Sequence, residues 1–238
     1  MRDMPEVRDD RAGTGTEPYP EPTMTGQAPA QPPAIAGLPP LRWQHTPDSA
    51  GYDTLRQELS IVAGAGTDWF VDPVGEYRTH NAPALVFDCP AGEFALSARA
   101  TVAFGAAFDA GVLCLRIDEA HWAKLCFEYS PQRQPMVVTV VTNGASDDAN
   151  GVPVDLSTVH LRVLRKGAAY AFHYSLDGTY WHFARLFRLP GTGTGTGTGD
   201  GATRIGFLAQ SPTGGGCAVT FDQIRLVERV PDDLRDGR

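Results

Sequence analysis

The feature that most constrains the fold is a succession of short apolar runs, each closed by turn-forming residues. From Leu41 onward, runs rich in β-branched and aromatic residues alternate with glycine, proline, aspartate or asparagine. Such runs favour β-strands, and the residues between them favour tight connections. No stretch keeps an apolar period of about 3.6 residues except a short turn over 52–59. The predicted strands cover residues 83–87, 94–104, 111–118, 122–129, 136–142, 159–166, 170–176, 181–189, 204–210 and 217–228.

Many short strands with regular turns predict an all-β, antiparallel jelly-roll β-sandwich. We expect this domain to span residues 39–230. Residues 1–38 are rich in proline and poor in large apolar side chains, which predicts a disordered tail. The Gly-Thr alternation within 191–201 is predicted to be a flexible loop, because such tracts behave as random coil. Residues 231–238 are predicted to be a disordered C-terminal tail.

Charge and composition exclude several classes of function. The net charge of -8 argues against binding to a nucleic-acid backbone, which requires a basic face. No window approaches the roughly 20 apolar residues of a membrane span, and no apolar leader is visible at the N-terminus. The 4 cysteines show neither disulfide nor zinc-site spacing, so we expect reduced structural thiols, no metal and no cofactor. The expected location is the cytoplasm.

Strand alternation identifies a polar sheet face. In residues 121–129, one face carries Ala123, Leu125, Phe127 and Tyr129, which are typical of a core. The other face carries Trp122, Lys124, Cys126 and Glu128, the preceding strand adds Arg116, and the polar face of the strand over 170–176 adds His173. An aromatic ring beside charged groups suits a polar small ligand, because rings stack on apolar sugar faces and charged groups bind hydroxyls. A solvated face with cross-strand ion pairs is the alternative.

The run Ser146-Asp147-Asp148-Ala149-Asn150-Gly151 offers oxygen atoms that could bind calcium. It fits no EF-hand spacing, so an ordinary hydrogen-bonded loop is the preferred interpretation. Glu128 together with Asp118, Asp147 or Asp148 could form the carboxylate pair of a glycoside hydrolase. The chain has no E-x-D-x-x-E or G-x-S-x-G run, so no catalytic residue is assigned.

Several motifs carry a resemblance to a known family. They are Asp68-Trp69-Phe70-x-Asp72-Pro73, Asn81-Ala82-Pro83-x-Leu85, Asp109-Ala110-Gly111-x-Leu113, Trp122-x-Lys124-x-x-x-Glu128, Val140-Val141-Thr142-x-x-x-Ser146-Asp147-Asp148, Tyr174-Ser175-x-Asp177-Gly178-x-x-Trp181 and Gly206-Phe207-x-Ala209-Gln210-Ser211-Pro212. In the order of these motifs, the chain resembles the uncharacterised-domain family that includes the fungal regulation-of-enolase protein. The resemblance extends from Leu41 to Glu228. The resemblance implies a concanavalin-A-like jelly roll of the lectin and glucanase type. It implies no particular activity, because the biochemistry of the family is largely unassigned.

Three hypotheses follow. The first is lectin-like, non-enzymatic binding of a carbohydrate or similar polar metabolite on the concave sheet face. Its expected ligand-binding residues are Trp122, Lys124, Glu128, Arg116, Asp147, Asp148, His173 and Gln210, of which Gln210 comes from the resemblance alone. The second is a glycan-active enzyme using Glu128 and a loop aspartate. The third is a regulatory protein that binds a metabolic enzyme, as the name of the fungal relative suggests.

Overall fold

Two antiparallel sheets of seven strands pack face to face in the computed structural model, which describes residues 31–190 and 203–237. The first sheet contains, in spatial order, β1 (Arg42–Gln44), β6 (Ala84–Asp88), β15 (Arg204–Gln210), β8 (Ala110–Arg116), β9 (His121–Tyr129), β10 (Pro135–Asn143) and β11 (Ala145–Pro153). The second contains β14 (His182–Phe187), β13 (Ala169–Ser175), β12 (Thr158–Lys166), β7 (Phe94–Val102), β16 (Gly216–Val227), β3 (Glu58–Gly64) and β2 (Ser49–Asp53). The predicted all-β sandwich is confirmed.

The core between the sheets follows from alternation along the central strands. Leu125 and Phe127 of β9 face Leu96 of β7 and Leu161 of β12 within one continuous apolar cluster. The interior therefore selects a single register for each strand, because a shift by one residue would turn its apolar side chains to the opposite face. The 4 cysteines are all free thiols, and three of them are buried.

A hairpin formed by β4 (Trp69–Val71) and β5 (Arg78–His80) accompanies the two sheets. Neither of these strands was predicted, and β1, β2 and β3 were also missed. The predicted turn over 52–59 is instead the connection from β2 to β3, where the Asp53 carboxylate accepts hydrogen bonds from the Leu55 and Arg56 amides. In β3, Leu59, Ile61 and Ala63 alternate into the core, as a half-buried strand requires.

The described residues before β1 and after β16 pack against the sandwich, although the sequence predicts disordered tails there. Ile35 lies in the core between the sheets, although the predicted tail extends to residue 38. Val230 and Leu234 pack on the outer face of the second sheet, where the sequence predicts a disordered tail over 231–238. The Trp181 amide donates a hydrogen bond to the Gly237 carbonyl at 2.9 Å. This bond holds the C-terminal segment beside the start of β14. Apolar burial and backbone pairing together explain why these residues are ordered.

Two predictions concern residues outside the described part of the chain. They are the disordered tail over residues 1–30 and the flexible Gly-Thr loop over 191–201. Among the residues that the structure describes, no helix has the length and apolar character needed to span a membrane.

Candidate functional site

The outer face of the first sheet carries the polar side chains that alternation indicated. Ala123, Leu125 and Phe127 of β9 point into the core between the sheets, so Lys124 and Glu128 project to the opposite side. This side is not an open solvated surface. The β4–β5 hairpin lies over part of it and forms a second apolar layer with β8, β9 and β10.

Trp122 belongs to this second layer and not to an accessible surface. Its side chain is 0% exposed, and its ring centroid lies 6.4 Å from that of Trp69 and 5.1 Å from that of His80. The expectation that the Trp122 indole stacks on a ligand is therefore wrong. Alternation correctly gave the side of the sheet, but the hairpin that covers the indole was not predicted.

Lys124 forms a buried ion pair beside this layer. Its Nζ donates to Asp68 Oδ1 at 2.9 Å and to Gln210 Oε1 at 3.0 Å. Burial lowers the pKa of Lys124, but the interactions with Asp68, Cys126 and Glu128 together outweigh this effect, so the pKa is raised. Asp68 is itself held by the Trp69 amide, which donates to Oδ1 at 2.7 Å. A permanent ammonium group is thus fixed in place, with one of its three donors unused by these contacts.

Glu128 lies four residues after Lys124, on the same face of β9, and is also buried. Burial raises its pKa to about 8, Lys124 opposes this rise, and the carboxylates of Asp68 and Asp148 add to it. None of the residues in 31–190 and 203–237 forms a hydrogen bond with its carboxyl group. At neutral pH the group is therefore mainly a neutral acid, able both to donate and to accept a hydrogen bond.

These groups open into a pocket of about 440 Å³ at the edge of the hairpin. Tyr77 from the β4–β5 turn and Phe108 from the loop before β8 form its aromatic rim, and they are 41% and 38% exposed. Phe108 has a φ of 69°, a conformation that non-glycine residues rarely adopt. The Phe108 carbonyl accepts a hydrogen bond from Gln210 Nε2 at 3.1 Å, so the network that holds Lys124 also holds this strained rim residue.

The structure brings together four of the eight residues expected to bind a ligand. Lys124, Glu128, Asp148 and Gln210 all line the pocket. Ser146 to Gly151 form part of strand β11 and not the predicted loop, because the whole segment pairs with β10 at the sheet edge. Alternation along β11 therefore separates the two aspartates. Asp148 faces the pocket, whereas Asp147 binds Arg185 at 2.9 Å on the other side.

The remaining expected residues lie elsewhere. Arg116 ends β8 opposite Trp122, whereas Glu128 lies opposite Ala110 at the other end of the same strand pair, so Arg116 is not among the pocket residues. His173 is on β13 of the second sheet, where it is fully buried beside Phe183. Burial lowers the pKa of His173 to about 4, which keeps its ring neutral. His173 was assigned to the polar face from a strand pattern that cannot show which sheet a strand joins, whereas Arg116 does lie on the first sheet beside β9.

Sequence reasoning also missed several pocket residues. Asp68 and Phe70 belong to the first family motif, but the sequence pattern indicated no role for either residue. Asn150 was considered only as a loop oxygen, and it lines the pocket from β11. Tyr77 and Phe108 lie in connections, and nothing in their neighbouring residues indicated that they meet.

Within the described ranges, no three histidine, cysteine or acidic side chains are arranged to hold a metal ion.

The raised pKa of Glu128 gives the stability of the protein a distinct pH dependence. The folded state keeps the proton up to about pH 8, whereas an unfolded glutamate loses it near its ordinary pKa of 4.5. Stability from this group is therefore present below pH 4.5 and is lost as the pH rises to about 8. We expect Glu128→Gln to match the wild type at pH 4 and to be more stable at pH 9, on the order of 2 kcal/mol.

Urea unfolding at the two pH values measures this difference. Glu119→Gln is the matched control, because Glu119 is exposed and adjacent in sequence to the same strand. Equal free energies of unfolding for Glu128→Gln and the wild type at pH 9 would show that the carboxyl group ionises without cost.

Comparison with known proteins identifies the family. A model of the family described as a protein of unknown function (DUF1349) matches residues 43–229. The chain belongs to this family. "Regulation of enolase protein 1" of Saccharomyces cerevisiae is 28% identical over 144 residues, which cover 60% of this chain and 68% of the relative. The predicted resemblance is thus confirmed.

Solved structures of similar fold include a functionally unknown protein from Saccharomyces cerevisiae, with a TM-score of 0.68 and 22% identity over 80% of this chain and 97% of that chain. The GH43 BlXynB protein from Bacillus licheniformis has a TM-score of 0.56 and 17% identity over 73% of this chain and 33% of that chain. A xylan β-1,4-xylosidase from Bacillus halodurans has a TM-score of 0.58 and 12% identity over 71% of this chain and 32% of that chain. These likenesses show the sandwich fold of the DUF1349 chain.

Proposed function

We propose that this DUF1349 protein is a non-enzymatic, lectin-like protein that binds a carbohydrate or similar polar metabolite in the pocket around Glu128. The observation that carries the proposal is a buried carboxyl group without a hydrogen-bond partner in the described residues, at the base of an open cavity with an aromatic rim. Buried polar groups are normally hydrogen-bonded, so an unpartnered one that faces a cavity suits a ligand hydroxyl. A volume of about 440 Å³ falls in the range of small-molecule sites, roughly 300–1,000 Å³.

Each part of the pocket has a role that suits a sugar. Tyr77 and Phe108 can stack on the apolar face of a sugar ring, which replaces the role expected of Trp122. The neutral Glu128 carboxyl can donate to one hydroxyl oxygen while Asp148 accepts from another. Lys124 supplies a fixed positive charge whose position depends on Asp68 and Gln210, so the ligand meets a preorganised site and pays little ordering entropy.

Calorimetric titration with xylose, arabinose, glucose and glucuronate tests the proposal. The xylosidase named among the structures of similar fold motivates the two pentoses. We expect at least one of these sugars to bind, and Tyr77→Ala to weaken its affinity about tenfold, equivalent to about 1.4 kcal/mol. Tyr180→Ala is the matched control, because Tyr180 is an exposed tyrosine in the connection between β13 and β14, outside the pocket. Equal affinity in Tyr77→Ala and the wild type would contradict the assignment.

A second function is favoured by one observation. A carboxyl group with a pKa near 8 beside the Asp148 carboxylate is the arrangement of a general acid with an anionic partner. Asp118, another partner considered from the sequence, binds His121 at 2.7 Å instead. Release of p-nitrophenol from p-nitrophenyl β-xyloside separates enzyme from binder. Turnover that is present in the wild type and lost in Glu128→Gln would replace the binding proposal with a glycosidase.

The name of the yeast relative describes regulation of enolase in that protein. A metabolic enzyme as partner of this chain stays a prediction from the family resemblance, alongside the carbohydrate ligand.

A further inference from the structure

The charges that line the Glu128 pocket do not balance. Its lining contains the carboxyl groups of Asp68, Glu128 and Asp148, but Lys124 is the only basic side chain among the described lining residues. The Lys124 ammonium group is already matched, because its Nζ lies 2.9 Å from Asp68 Oδ1. Glu128 and Asp148 form no ion pair with a residue of 31–190 or 203–237. Two carboxyl groups therefore face the cavity without a cation of the described chain to neutralise them.

Strand register puts the charged groups at three corners of an apolar floor. Val140 of β10 is paired with Lys124 of β9 on one side and with Asp148 of β11 on the other. Adjacent strands lie about 4.8 Å apart, so the backbones of Lys124 and Asp148 are roughly 10 Å apart. Glu128 stands four residues further along β9, and Val138 and Val140 line the floor between the corners. Asp148 thus stands apart from the Lys124 ammonium group.

Glu128 lacks the partner that a buried carboxyl group normally has. The residue is only 8% exposed, and it lines the cavity without a hydrogen bond to any described residue. Burial and the carboxylates of Asp68 and Asp148 raise its pKa more than Lys124 lowers it, so the group keeps its proton. A positive charge that entered the cavity would favour the ionised carboxylate instead.

Aromatic rings strengthen the preference for a cation. Phe70, Tyr77 and Phe108 all line the pocket. The face of an aromatic ring carries partial negative charge, so it attracts an ammonium group within about 6 Å of its centre as well as the apolar face of a sugar. A metal ion fits less well, because no three histidine, cysteine or acidic side chains of the described residues are arranged to hold one.

We propose that the ligand of this pocket is an amino sugar, whose ammonium group binds the Glu128 carboxylate. This inference rests on the proposed function, because it names the chemical class of the same ligand. Glu128 releases its proton to the solvent as the ammonium group arrives, and a charge-assisted hydrogen bond forms between them. A hydroxyl group of the sugar donates to Asp148 across the valine floor. Lys124 stays paired with Asp68 throughout.

Titration calorimetry compares glucosamine with two uncharged matches, glucose and N-acetylglucosamine. The titrations are run at a slightly acidic pH, below the pKa of about 8 of Glu128, so that the amine and the carboxyl group both hold their protons before they meet. We expect glucosamine to bind at least tenfold more tightly than either match, because it alone supplies the missing positive charge. Titrations in buffers of different ionisation enthalpy count the released protons, and we expect about one for each glucosamine and none for glucose.

A charge-removing variant assigns the preference to Glu128. Glu128→Gln keeps the size of the side chain but cannot ionise. We expect it to lower the ratio of the glucosamine affinity to the glucose affinity at least tenfold and to abolish proton release. Asp147→Asn is the matched control, because Asp147 is a carboxylate of the same sheet that binds Arg185 outside the pocket. The affinity ratio of this control should equal that of the wild type.

The outcomes separate this inference from the proposed function. Equal affinity for glucosamine and glucose would overturn the amino-sugar assignment while carbohydrate binding stands. An unchanged affinity ratio in Glu128→Gln, or glucosamine binding without proton release, would overturn it as well, because the ammonium group would then bind elsewhere. Failure of all three sugars to bind would overturn the proposed function and this inference together.

Discussion

Replacing Trp122 with alanine is expected to lower the free energy of unfolding by about 3–5 kcal/mol, the usual cost of truncating a buried tryptophan. The indole is 0% exposed and fills the space between the first sheet and the β4–β5 hairpin. Its removal leaves a cavity lined by Trp69 and His80, whose rings contact it. Guanidinium unfolding monitored by circular dichroism measures the loss.

Trp122→Phe is the matched variant for this experiment. It keeps an aromatic ring in the layer and should therefore cost clearly less than Trp122→Ala. A loss below about 1 kcal/mol in Trp122→Ala would be typical of an exposed side chain and would return Trp122 to the ligand-binding surface.

Replacing Lys124 with methionine is expected to destabilise the protein by about 3–5 kcal/mol, because it leaves the buried Asp68 carboxylate without its partner. The Lys124 ammonium lies 2.9 Å from Asp68 Oδ1, and both side chains are nearly inaccessible to solvent.

The double variant Lys124→Met with Asp68→Asn shows whether the loss comes from the unpaired charge. A neutral amide at position 68 can keep its hydrogen bonds without a counter-charge, so the double variant should recover more than half of the lost stability. Chemical unfolding of the two single variants and the double variant completes the cycle. Strictly additive losses would mean that Lys124 and Asp68 contribute independently, contrary to the ion pair seen here.

Strand alternation predicted much of the fold and two residues of the candidate site. It placed Lys124 and Glu128 on one face of β9, which the structure confirms, because that pattern depends only on the two-residue repeat of a strand. It could not show what covers the face. The β4 and β5 strands are three residues long and follow no apolar alternation, so the hairpin that buries Trp122 left no recognisable pattern.

The two aspartates illustrate a second limit. Asp147 and Asp148 were treated as equivalent loop ligands because an Asp- and Asn-rich run favours turns. In β11 they alternate, so Asp148 lines the pocket and Asp147 turns to Arg185. An edge strand needs only one paired side, and pairing with β10 outweighs the poor strand propensity of the run. That tertiary pairing could not be inferred from the residues themselves.

The pocket also depends on residues whose proximity arises only from the topology. Tyr77 and Phe108 come from two separate connections, Gln210 comes from the end of β15, and the three meet above β9 and β10. Phe108 adopts its strained backbone while its carbonyl is held by Gln210, which in turn contacts Lys124. Two hydrogen bonds therefore connect the rim of the pocket to the buried ion pair.

The most direct test of the Glu128 pocket is a ¹H–¹⁵N NMR titration of the full chain with the tightest-binding sugar of the calorimetric panel. We expect the largest amide shift changes at Tyr77, Phe108, Glu128 and Asp148, with the outer face of the second sheet unaffected. Shift changes confined to other surfaces, or none at saturating sugar, would contradict carbohydrate binding at this pocket.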